Sequence, residues 1–136
     1  MSDFCYHVLA LIPTGAEFSV ENAVEAFVAE GQSAAVAASP GGGRDGFRVV
    51  FADDWAIVAW LEDDADVTTE SEEILDVFGR PPGAAPGGPI ACDRRLSIWS
   101  DDDSEMMNAH FFEETIQFLK ERFGLFAFDG NLGIWR

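Results

Sequence analysis

Residues 47–61 read Phe47-Arg48-Val49-Val50-Phe51-Ala52-Asp53-Asp54-Trp55-Ala56-Ile57-Val58-Ala59-Trp60-Leu61. Two runs rich in β-branched and aromatic side chains, 47–52 and 55–61, flank a pair of aspartates. Such runs suit a pleated, half-buried surface, and aspartate tolerates the tight backbone of a turn. The stretch therefore predicts two strands folded back on each other, which makes the sheet antiparallel at this point.

Upstream, 5–12 is a near-continuous apolar run, the pattern of a strand buried on both faces. Ser19 is a good N-cap for a helix whose Val20, Ala23, Val24, Phe27 and Val28 share one face, with Glu21 and Glu25 on the other and Gly31 as the stop. Residues 32–39 predict a further strand. Downstream, Thr69 and Glu72 form a Thr-x-x-Glu capping box for a short helix that ends at Phe78, before Gly79 and Pro81-Pro82. Residues 79–91 hold enough Gly and Pro to predict a flexible loop. Residues 94–100 predict a strand. The acidic run 101–104 then leads into the longest helix, with Phe112, Ile116, Leu119 and Phe123 as its apolar stripe, Lys120 and Arg122 in its last turn and Gly124 as its stop. Residues 125–128 and 132–135 predict a hairpin across Asp129-Gly130.

The expected fold is α+β: a single, mainly antiparallel β-sheet with about three helices packed on one face, in the order β-α-β-β-β-α-β-α-β-β. A chain of 136 residues makes one domain, 1–136. At that length folding buries roughly two thirds of the accessible surface, enough to hold a core without staples. Twelve Phe and four Trp supply large rings for it. Met1-Ser2-Asp3-Phe4 lacks the basic start of a signal peptide, and the apolar run that ends at Pro13 is too short to cross a bilayer. With Cys5 and Cys92 as its only cysteines, the chain is expected to be cytoplasmic with both thiols reduced.

Twenty-five acidic residues against eight basic ones give a net charge of −17. Nucleic acids and anionic membranes are polyanions, so neither is an expected partner. A basic protein surface is.

The motifs point away from catalysis. Gly41, Gly43 and Gly46 match the spacing of a dinucleotide-binding fingerprint, but a strand follows them instead of the helix that would hold the pyrophosphate. His7 shares strand parity with Cys5, Leu9 and Leu11, which favours a hydrogen-bonded, partly buried residue. His110 lies on one helical face with Glu113 and Glu114, one or two ligands short of a stable zinc site. Asp101, Asp103 and Glu105 alternate like the early ligands of a calcium loop, yet Met106 stands where its glycine belongs and Phe112 where its last glutamate belongs. No nucleophile elbow is present. No catalytic residue, cofactor or metal is expected.

What remains is the placement of the acids. Asp63, Asp64, Asp66, Glu70 and Glu73 fall in one stretch and Asp101, Asp102 and Asp103 in another, both at strand-to-helix connections. If the connections share an edge of the sheet, the clusters merge into one negative surface. Trp99 lies on the strand face opposite Leu96 and Ile98, which suits an exposed anchor. The leading expectation is an inhibitor- or immunity-type module that masks a basic partner with these nine residues. One alternative is a homodimer joined by an exposed sheet face or edge, with acidity that only solvates it. Another is a small-ligand protein or enzyme with a pocket under the Pro/Gly loop, where His7 or His110 titrates.

Overall fold

The computed structural model of the chain describes residues 5–38, 44–84 and 90–136. Its elements run β1 (His7–Pro13), α1 (Val20–Ala29), β2 (Ser33–Ala38), β3 (Asp45–Val50), β4 (Ala56–Glu62), α2 (Ala65–Phe78), β5 (Cys92–Ser100), α3 (Ala109–Phe123), β6 (Phe126–Asp129) and β7 (Ile134–Trp135). The strands form one seven-stranded sheet in the order β2-β3-β4-β5-β1-β6-β7, and every pair is antiparallel. The class, the single antiparallel sheet and the order of elements are those expected from the sequence. Gly41, Gly43 and the middle of the Pro/Gly stretch lie outside the described residues.

The aspartate turn forms as the sequence implies. Asp53 and Asp54 both take positive φ, 58° and 59°, and the Trp55 N–H closes the turn on the Ala52 carbonyl at 3.2 Å. Paired positive φ values twist a turn the same way as the strands it joins, and a short polar side chain tolerates them. Gly46, in contrast, is glycine for reasons of space. A Cβ there would come within 2.6 Å of the Trp60 ring and 2.4 Å of the Ala59 carbonyl oxygen, so the indole lies against bare backbone on β3.

Alternation along the strands separates two faces. On the first, Val8, Ala10, Ile12, Phe47, Val49, Ile57, Ala59, Leu96 and Ile98 meet the apolar stripes of α1 (Val20, Ala23, Phe27) and α3 (Phe112, Ile116, Leu119). Aromatic pairs tie α1 and its lead-in to α3, with Phe27 4.6 Å from Phe118 and Phe18 edge-on to Phe123 at 5.1 Å, and Phe27 also meets Phe47 of β3 at 5.8 Å. The expectation that helices pack on one face is met by α1 and α3. The second face is covered over part of its area by α2: Arg95 bonds Glu70, and the Phe78 ring sits 4.7 Å from that of Phe128. Leu11, on this second face, is fully buried, so β1 is covered on both sides and reads as an unbroken apolar run for that reason.

Three boundaries differ from the sequence reading. Helix α2 starts one turn before Thr69, because burying Val67 and Ser71 against the sheet rewards the extra turn. Thr69 and Glu72 therefore lie inside the helix and do not cap it. Helix α3 starts at Ala109 and not in the acidic run, because Met106 takes φ 58° and interrupts the helical path. The last hairpin turns through four residues, 130–133: Asp129 belongs to β6, and its carboxylate accepts the Asn131 and Leu132 N–H groups. At the head of α1 the Ser19 hydroxyl accepts the Asn22 N–H at 3.1 Å, as expected of an N-cap. Among the described residues, no helix is long and apolar enough to cross a membrane.

Candidate functional site

The register of β4 against β5 decides how the candidate residues relate. Glu62 pairs with Arg95 at one end of the ladder and Ile57 with Ser100 at the other. Asp63, Asp64 and Asp66 therefore leave the first end, whereas Asp101, Asp102 and Asp103 leave the second. Five residues of strand, about 16 Å, lie between those ends. The Debye length at physiological ionic strength is about 8 Å, so the clusters do not act as one field. The merged negative surface expected from the sequence does not form.

What lies between the clusters is the uncovered half of the second sheet face. Trp99 is 43% exposed there, and its ring stacks on that of His7 with centroids 3.7 Å apart and planes 14° apart. The Ser97 hydroxyl accepts the Trp99 indole N–H at 2.9 Å and lies 3.2 Å from His7 Nε2. Trp60 pairs with Ser97 and Val58 with Trp99, so both border the same floor from β4. Burial holds the His7 pKa below its ordinary value with help from Arg95, while Asp129 and Glu62 pull the other way. The imidazole is thus kept mainly neutral near pH 7, which suits a ring stacked on the Trp99 indole. The partial burial and hydrogen bond of His7 are those expected from its strand parity.

The acids at the first end are organised by one arginine. Arg95 bonds Glu62 at 2.8 Å and also Glu70, and Arg44 reaches Glu62 at 3.0 Å. This chain of alternating charges pins α2 to the sheet. Glu70 consequently serves the fold, although its side chain stays about half exposed. Asp63, Asp64, Asp66 and Glu73 are exposed; Asp63 and Asp64 follow directly from this end of β4, whereas Asp66 and Glu73 lie along α2.

At the second end the three aspartates do different things. The Asp101 carboxylate accepts the Ala56 N–H at 2.9 Å, and the Asp102 carbonyl accepts the Trp55 indole N–H at 3.0 Å. Both residues remain exposed. Asp103 is a correction to the expected surface, because its carboxylate is turned inward and the residue is only 4% exposed. It accepts from Tyr6 Oη at 2.7 Å, from the Met107 and Asn108 N–H groups, and from Asn108 Nδ2. The run 101–105 is held by this inward turn, ahead of the first turn of α3. Among the described residues no three His, Cys, Asp or Glu side chains gather as metal ligands.

Tyr6 reports on this arrangement. Burial, with the Asp103 carboxylate beside it, favours the neutral phenol and pushes its pKa up to about 12. A pKa raised on folding gives stability that is complete below the unfolded value of 10 and is lost as pH climbs toward 12. Tyr6 is the only tyrosine, so the phenolate absorbance isolates it. The expected midpoint in the folded protein is near 12, with a partial fall in Asp103→Asn, where burial still favours the neutral phenol. A midpoint near 10 in the unaltered protein would contradict the buried contact.

One hollow, of about 400 Å³, borders Pro82, Gly83 and Ala84 of the Pro/Gly stretch but is lined by neither histidine, and a second, of about 280 Å³, lies beside His7 at the end of β1. Its polar groups are largely engaged with protein. Arg136 bonds Asp129 at 2.9 Å and also Glu113, and Tyr6 bonds Asp103. His110 borders Phe111, with ring centroids 4.0 Å apart, and is not among the residues lining this hollow.

Comparison of the chain with protein-family models, with curated proteins and with solved structures returned no match.

Proposed function

We propose that the protein is a small binding module of the inhibitor or immunity type, which docks a basic partner on the uncovered half of its second sheet face. One observation carries this reading: an exposed, internally braced Trp99 sits on a floor of Val58, Trp60, Ser97 and His7, with the exposed Arg48 beside Val58 and carboxylates at both ends. A typical interface covers about 800 Å² per partner, a patch roughly 28 Å across, so the 16 Å between the clusters fits inside one footprint. Interfaces of this kind place aromatic anchors at the centre and charges at the rim. The two clusters act separately under this reading, each meeting its own basic group on the partner.

The net charge of −17 supports the sign of the partner and speeds its approach. The partner is a protein, because nucleic acid and anionic lipid carry the same sign as this chain. The setting we propose is the cytoplasm, where Cys92 stays a buried thiol whose pKa is raised by burial and by Asp93 to about 11.

The test is capture from native lysate on the immobilised protein at low salt, followed by elution with salt. The expected result is a basic protein that is retained at low salt, released at high salt, and no longer retained by Trp99→Ala. Retention of nothing basic at low salt would overturn the proposal.

A further inference from the structure

We propose that strand β2 pairs with β2 of a second copy of this chain across a two-fold axis, joining the two sheets edge to edge. Strand β2 is hydrogen-bonded only to β3 among the described residues, so one side of its backbone presents unpaired N–H and C=O groups. Edge strands are normally guarded by a charge, a proline or a bulge, and Ser33–Ala38 contains no charged residue or proline and pairs with β3 in unbroken register.

The sequence of the strand favours a copy of itself over other strands. Residues 34–38 read Ala-Ala-Val-Ala-Ala in either direction. Antiparallel pairing centred on Val36 sets Val36 against Val36, Ala35 against Ala37 and Ala34 against Ala38. No charge meets a like charge and no bulky side chain meets another, except at the valine pair on the axis, and β-branched residues opposite each other favour a ladder.

The helix above the edge is finished in the same way. In α1 the side carrying Asn22, Glu25, Ala26 and Ala29 borders Arg122 and Phe123 of α3. Val24 and Val28, one turn apart, lie on the opposite flank, which overhangs β2. Val28 is 52% exposed and Val36 is 54% exposed, although both lie on the core side of the sheet. An axis perpendicular to the sheet keeps both copies of α1 on the same side and lets these valines cover one another. Trp99 stands three strands away, about 14 Å, so the dimer leaves the docking face free and neither proposal rests on the other.

Self-association of a chain carrying −17 is opposed by repulsion, which salt screens. The dimer is therefore expected to strengthen as salt rises, opposite in sign to the binding of a basic partner. Sedimentation over a range of concentrations should show a monomer–dimer equilibrium that shifts toward dimer at high salt. Val36→Lys, which sets two like charges on the axis, should weaken it at least tenfold while leaving the thermal melt of the monomer unchanged.

The register is read by cross-linking in a Cys5→Ser background. Opposed residues in an antiparallel pair have Cα atoms about 4.5–5.5 Å apart, within reach of a disulfide. Val36→Cys should form covalent dimers on mild oxidation, and Ala34→Cys, which faces Ala38, should not. A monomer at every concentration and both salt levels would overturn the proposal. So would a dimer indifferent to Val36→Lys, or equal cross-linking by the two cysteine variants.

Discussion

Asp103→Ala is expected to lower the free energy of unfolding by about 3 kcal/mol, and with it the melting temperature by roughly 10 °C for a chain of this size. The carboxylate is 4% exposed and satisfies four donors at once: Tyr6 Oη, the Met107 N–H, the Asn108 N–H and Asn108 Nδ2. A hydrogen bond to a charged group contributes about 1.5–3 kcal/mol, and a buried donor left without a partner costs a similar amount. The four do not sum, because Met107 is exposed and Asn108 half-buried, so water reaches part of what the carboxylate leaves behind. The Tyr6 hydroxyl, packed beside Phe112, has less access to replacement. Asp103→Asn keeps the volume but turns a donor toward donors, and should fall between the two. Urea denaturation checks this as a lower midpoint at unchanged slope. A loss below about 1 kcal/mol would mean that Asp103 does not hold the connection between β5 and α3.

The second large effect belongs to binding. Trp99→Ala should weaken the complex with the basic partner by about thirtyfold, which corresponds to the 2 kcal/mol typical of a central aromatic anchor. The stability of the free protein should change by only about 1 kcal/mol, the worth of one stacked aromatic pair, since the residue is 43% exposed and lies outside the main core. The ring is ready to bind before any partner arrives: its N–H is satisfied by Ser97 and one of its faces by His7. Ordering a loose side chain would use up part of the binding energy, and here that cost is small. Calorimetric titration beside a thermal melt separates the two readouts. Equal affinity in the variant, or a collapse of its melt, would remove Trp99 from the role.

Much of the fold could be read from local chemistry. The aspartate pair between two apolar runs gave the hairpin, Ser19 gave the head of α1, and the unbroken run in β1 gave a strand covered on both sides. The sheet order was not legible, because inserting β5 between β4 and β1 depends on contacts far apart in the chain. The side of the sheet taken by α2 was hidden for a related reason: an apolar stripe shows that a helix packs on the sheet but not on which face, and Ser71 is part of the inward side here. Trp99 was placed correctly on the exposed face by strand alternation alone. The inward turn of Asp103 left no local mark, since three consecutive aspartates look alike and Tyr6 is 97 residues away. Whether the two acidic clusters meet depended on strand register, and register is set by pairing.

The docking face is tested most directly by neutralising equal numbers of acids on the two sides of the sheet. One variant carries Asp63→Asn, Asp66→Asn and Glu73→Gln on α2 and its lead-in; the other carries Glu21→Gln, Glu25→Gln and Glu30→Gln on α1 and its C-cap. Affinity for the captured basic partner is measured for both by calorimetric titration at one salt concentration. The expected result is a loss of at least tenfold in the first variant and little change in the second. Equal losses in both would contradict the docking face, because they would show that the partner responds to net charge and not to where that charge is placed.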